Sequence, residues 1–221
     1  MPHITAPQRN TPIDPIDASG EARPAPPAPG KPQAPGEPLS YTRTAVVLHW
    51  AIGLALLAQI VFGFLLDDIA PRGTPARAGV INLHKSVGIV LGLLIVLRIG
   101  WRIAHAAPPW PASMPALQRR AADVGHVALY ACMLVAPLAG YLGSNFSKYG
   151  VRFFGFVLAP WGPEAPHTYA VLVGIHDASS YLLLALTVGH VALALKHGLL
   201  DRDGIFDRIV PSSWRRRSAS R

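Results

Sequence analysis

Residues 174–197, GIHDASSYLLLALTVGHVALALKH, decide how this chain is read. The run is apolar for most of its length and carries three histidines, His176, His190 and His197. Their spacings of 14 and 7 residues place all three within about 60° of one another on one face of an α-helix. At 1.5 Å per residue, His176 and His190 stand about 21 Å apart along the axis, enough to set one near each side of a hydrocarbon layer about 30 Å thick. Such a helix suits two stacked metal centres.

The composition agrees with a membrane setting. Of 221 residues, 51% are hydrophobic and 14% charged, and the mean hydropathy is +0.31. Soluble domains carry about 25% charged residues. The net charge of +8 and pI near 10.1 bring nucleic acid to mind. No aromatic-basic binding motif accompanies them, and many of the basic residues flank apolar runs, so the charge reads as topology and no nucleic-acid partner is expected. Cys132 is the single cysteine, which excludes an intramolecular disulfide and the usual cysteine cages for zinc or iron-sulfur clusters. It lies in an apolar run and reads as a packing residue.

Three further apolar runs precede the histidine helix. The first covers 44–66 and contains His49, the second covers 82–101 with His84 near its start, and the third covers 122–145 with His126 at its start and Pro137 inside. Each is long enough to span, and a proline within a membrane helix is tolerated where neighbours satisfy the freed carbonyl. The segments 67–81, 102–120 and 146–169 read as loops, the last with Phe153, Phe154, Phe156 and Trp161 lying partly at the membrane interface. The expected fold is therefore all-α, a four-helix transmembrane bundle over 41–211 in a lipid bilayer. Residues 1–40 hold 11 of the 22 prolines and no apolar periodicity, and read as a disordered Pro-rich N-terminal tail without a secretory h-region. Residues 212–221 form a basic C-terminal tail.

Four spans put both termini on one side. Near the membrane that side would carry Arg43, Arg98, Arg102, Arg119, Arg120, Lys196, Arg202 and Arg208, against Arg72, Arg77, Lys85, Lys148 and Arg152 opposite. The bias places both termini in the cytoplasm. Topology then sorts the histidines by depth. His84 and His176 share an outer layer, while His49 and His190 share an inner one about 7 to 10 Å inside the cytoplasmic ends. A bis-histidine haem needs this, two imidazoles on different helices facing one iron. Gly53 and Gly88 lie one turn after His49 and His84, and Gly189 adjoins His190, where small residues let a macrocycle approach; glycine is equally common at membrane helix interfaces. A single membrane histidine more often bonds a neighbouring helix than binds metal, but four paired by depth favour ligation. His126 and His197 read either as interface residues or as part of a second site, and His105 and His167 as solvated loop residues.

The segments LHW around His49, NLHKSVGI around His84, GHVALY around His126 and HDASSYLLLALTVGHVALALKH around His176 and His190 resemble the bacterial cytochrome b561 family, which is related to the cytochrome b subunits of nickel-iron hydrogenases. The resemblance covers about 41–211. It implies a protein of the bacterial inner membrane with two haem b groups, His49 and His190 holding the inner one and His84 and His176 the outer one. It further implies electron exchange between the quinone pool and a periplasmic donor or acceptor, with superoxide among the donors. By the same analogy a quinone headgroup, ubiquinone for example, would sit near the cytoplasmic end beside His126 and His197.

Two rival readings stand beside this one. The chain is otherwise a cytochrome b anchor subunit docking a hydrogenase or dehydrogenase, or a non-redox membrane protein whose histidines bind zinc or bridge helices. A transporter ranks last, because no internal repeat or broken-helix pair is evident.

Overall fold

The computed structural model describes residues 41–105, 107–111 and 114–210, so the expected tails at 1–40 and 212–221 lie outside the described residues. Among the described residues five α-helices follow in chain order: α1 Arg43–Phe64, the short α2 Leu66–Ile69, α3 Arg77–Ala104, α4 Ala116–Asn145 and α5 Pro166–Leu195. Four of them are long and apolar enough to cross a membrane. Their outward faces are rich in exposed apolar side chains such as Leu54, Leu93, Val127 and Leu182. Water would penalise that surface, and hydrocarbon does not.

The helices reach further than their apolar cores. α3 begins at Arg77 and α4 at Ala116, both inside segments read above as loops. Hydropathy marks only the hydrocarbon-crossing part, whereas the backbone ladder continues into the interface wherever no breaker intervenes. α5 likewise starts eight residues before Gly174, with Pro166 in its first turn, where the missing N–H costs nothing. His167 thus stands in the first turn of a helix, exposed, instead of in a loop. Pro137 lies inside the continuous helix α4.

The segment 146–169 is not all loop. It contains an antiparallel hairpin of β1 Val151–Phe153 and β2 Phe156–Leu158, in which Val151 pairs with Leu158 and Phe153 with Phe156. Its turn uses Phe154 at φ 44° and Gly155 at φ 100°, left-handed backbone for which glycine is suited and phenylalanine is not. Ser86, buried in α3, compensates: its hydroxyl oxygen accepts from Phe154 N–H at 2.9 Å and lies 2.7 and 3.0 Å from the carbonyls of Asn82 and Arg152. Lys85 donates to Gly150 O at 2.9 Å. The hairpin is thereby fastened over the start of α3.

α4 packs on α5 and on α3, and α3 on α1, while α1 and α5 have little close backbone packing. At mid-depth all four long helices meet in one apolar cluster of Ile52, Ile60, Ile95, Cys132, Met133 and Leu183. Cys132 is buried in it. Beyond α5 the chain makes a π-helical turn over Lys196–Asp201 and a 3-10 turn over Phe206–Ile209. The second is tied back by Trp50, whose indole N–H donates to Ile209 O at 2.8 Å, and by Arg208, which donates to Pro109 O at 2.8 Å.

Candidate functional site

The apolar cluster separates two cavities, of about 310 and 270 Å³, with Leu56 bordering both. Each cavity has a pair of histidines in its wall.

In the outer cavity His84 from α3 faces His176 from α5, with ring centroids 6.1 Å apart. In the inner cavity His49 from α1 faces His190 from α5 at 6.2 Å. Two imidazoles that share one metal, each about 2 Å from it, hold their centroids roughly 6 Å apart. Both pairs are half-buried, so each presents a polar face inside an apolar wall.

Hydrogen bonds fix ring orientation and tautomer. His176 Nδ1 lies 2.8 Å from Ala136 O. A carbonyl only accepts, so Nδ1 carries the proton and Nε2 keeps a free lone pair, the form a metal-ligating histidine takes. His84 is gripped by Gln59, whose amide nitrogen donates to His84 O at 2.7 Å and lies 3.1 Å from Nδ1. His49 Nδ1 accepts from Arg98 Nη2 at 3.0 Å.

Two glycines make room for the outer pair. A Cβ on Gly63 would lie 3.0 Å from His84 Cε1, and one on Gly140 would lie 3.0 Å from His176 Nδ1. Gly53 lines the inner cavity, and a Cβ there would enter open space. Gly88 meets the Gln59 amide, and a Cβ on Gly189 would also enter open space. Clearance around the outer rings thus comes from Gly63 and Gly140, which no spacing from the histidines singled out.

The structure separates His126 from His197. His126 lines the inner cavity with its ring 5.4 Å from that of His190, and His105 lines it too, so that four histidines border this cavity. His197 is buried elsewhere, in the π-helical turn, with Nδ1 donating to Asp203 at 2.6 Å and Nε2 facing the Gln118 amide at 3.3 Å. Asp201 lies 3.3 Å from the same nitrogen and is also paired with Lys196. These bonds pin the end of α5 to the start of α4. His105 is exposed just past α3 and stacks on Trp101 at 3.9 Å.

The centroid spacing of both pairs, and the clearance around the outer one, fit imidazoles that share a haem iron. Gln59 and Arg98 complete the polar walls. Arg98 reads from sequence only as a basic helix end.

The same stretch of chain matches known proteins. The model of a family described as prokaryotic cytochrome b561 matches residues 40–212. Cytochrome b561 homolog 2 of Escherichia coli (strain K12) is 34% identical over 183 residues, which cover 80% of this chain and 94% of that protein. Cytochrome b561 homolog 1 of the same strain is 26% identical over 171 residues, 77% of this chain and 97% of that protein. Cytochrome b562 of Cereibacter sphaeroides is 28% identical over 178 residues, 77% and 94% respectively.

Proposed function

Since this chain belongs to the prokaryotic cytochrome b561 family, and so is a multi-pass haem b protein of inner-membrane electron transport, we propose that it carries two haem b groups and passes electrons between the quinone pool and a periplasmic donor or acceptor. The observation that carries this reading is the pairing of four histidines into two layers at 6.1 and 6.2 Å, on opposite sides of an apolar cluster. His84 and His176 would hold the outer haem, and His49 and His190 the inner one. Haem supplies reversible one-electron iron chemistry when bound.

The residues of the chain set the conditions for that chemistry. Ala136 O holds His176 in the tautomer that leaves Nε2 free. Ile52, Ile95 and Leu183, each at most 1% exposed, keep water from the space between the layers. Both termini face the cytoplasm, following the basic residues.

A quinone headgroup reaches the inner layer beside His126, which lies between Val124 and Val127, both 69% exposed on the membrane-facing surface of α4. His197 stays within its own cluster of Gln118 and Asp203, and serves the end of α5. On the outer side, steering of an anion such as superoxide falls mainly to Arg72, which is 84% exposed and only loosely paired with Asp67 at 3.8 Å, whereas Arg77 is held by the same carboxylate at 2.6 Å. Superoxide-driven haem reduction then slows with added salt and in Arg72→Gln; a rate indifferent to both removes superoxide from the reading.

Oxidised and dithionite-reduced spectra of the purified chain, with haem counted per polypeptide, test the whole. Two low-spin b haems are expected. His84→Ala and His176→Ala each lose one and the same haem, and His49→Ala and His190→Ala lose the other. A chain without haem, or a different pairing of losses, overturns the assignment.

A further inference from the structure

Among the described residues the inner cavity has charge without a counter-charge. Arg98 and Arg102 both line it, and no described aspartate or glutamate does. The outer cavity differs, since Arg72 and Arg77 there both pair with Asp67, at 3.8 and 2.6 Å, and Asp177 lines the same cavity. A guanidinium half-buried in an apolar wall needs an anionic partner, and the wall offers Arg98 only a neutral ring nitrogen and the Ala45 carbonyl at 3.5 Å.

A second donor in the same wall also goes unused. The indole N–H of Trp101 is buried and has no acceptor among the described residues. Arg98, Trp101 and Arg102 are spaced i, i+3 and i+4 along α3, which aligns them on one face of its cytoplasmic end. Three donors thus converge on a cavity that no carboxylate lines among the described residues.

The Arg98 contact with His49 adds a chemical constraint. Arginine only donates, so His49 Nδ1 accepts and the proton of the neutral ring sits on Nε2. Ligation through Nε2 places that proton on Nδ1, which can no longer accept from Arg98. Arg98 must then leave His49 and find another acceptor.

We infer that Arg98, with Trp101 and Arg102, forms a carboxylate-binding subsite that receives the propionate groups of the inner haem. This rests on the two-haem reading. A planar guanidinium grips a carboxylate through two parallel N–H bonds, and the indole N–H adds a third. With Arg98 on a carboxylate instead of the ring, His49 would be free to carry its proton on Nδ1 and to offer Nε2.

The test uses the full-length holoprotein loaded with haem labelled with carbon-13 at the propionate carboxylates. Redox-induced infrared difference spectra report the labelled bands, and a potentiometric titration follows each haem separately. In Arg98→Gln the labelled carboxylate bands shift and the midpoint potential of one haem falls, because a positive charge that favours the reduced state is lost; the haem affected is the one absent from His49→Ala. Arg98→Lys keeps the charge and restores most of the potential but not the bands of the two-point contact. If Arg98→Gln loses the inner haem, Trp101→Phe, which removes one N–H, reads the band shift in its place. Labelled bands and potentials identical to the parent in Arg98→Gln, or bands unmoved in Trp101→Phe where that variant must be used, overturn the subsite. Absence of any haem that depends on His49 refutes the two-haem reading instead.

Discussion

Replacing Gly140 by alanine tests the outer site through a single methyl group. The new Cβ would sit 3.0 Å from His176 Nδ1 and 3.3 Å from its Cε1. Non-bonded carbon contacts settle near 3.5 to 4.0 Å, so the ring must retreat by about 0.5 Å. Metal-ligand geometry tolerates about 0.2 Å, and the retreat also stretches the 2.8 Å bond to Ala136 O. Alanine gains about 1 kcal/mol over glycine in a helix interior, while overpacking costs about 1 to 3 kcal/mol, leaving a net loss of up to about 2 kcal/mol. Gly174→Ala is the matched control: it is in α5, two residues before His176, and its Cβ would meet nothing within 4 Å. The assay is haem per chain, the reduced spectrum and the electron paramagnetic resonance of the oxidised protein, with thermal midpoints for both variants. Gly140→Ala is expected to lose or distort one haem and Gly174→Ala to keep both with an equal or higher midpoint. Two undisturbed haems in Gly140→Ala would refute the claim that this glycine gives the ring its place.

Other perturbations follow from particular contacts. Gln59→Leu removes the amide that donates to His84 O and lies 3.1 Å from its Nδ1, and should cost about 1 to 3 kcal/mol while shifting the spectrum of the outer haem alone; an equal shift in both haems would contradict the layering. Ser86→Ala leaves the Phe154 N–H unpaired behind a left-handed turn, so amide exchange over 150–158 should accelerate with about 1 to 3 kcal/mol of lost protection and unchanged haem content. Asp203→Asn weakens the bond that holds His197 and should raise exchange at 196–203 while leaving both haems in place; loss of the inner haem would instead tie His197 to the site.

Much of this protein is legible in the chain alone. Four long apolar runs can satisfy their backbone in lipid only as helices, so span number and the alternation of direction follow without a fold. Depth follows too, because helical rise turns the 14 residues between His176 and His190 into a fixed axial distance. The ends of the elements are harder to read, since polar residues at Arg77 and Ala116 to Arg120 can be helix or loop at the interface, and only the backbone ladder decides. The hairpin at 151–158 was hidden because its strands are three residues each and their register depends on Ser86, nearly 70 residues away in sequence.

What tertiary structure decided is which groups face one another across helices. Depth gives His126 and His197 equal claim to the inner end, but rotation about the helix axes sends one to His190 and the other to Asp203. The same rotation brings Gly140 of α4 under His176 of α5, and Arg98 of α3 to His49 of α1. The sequence by itself determined the layers, since hydrophobicity and helical pitch act along each segment. The clearance, the tautomers and the unneutralised wall of the inner cavity came only from packing, because they depend on the angles between segments that no local pattern encodes.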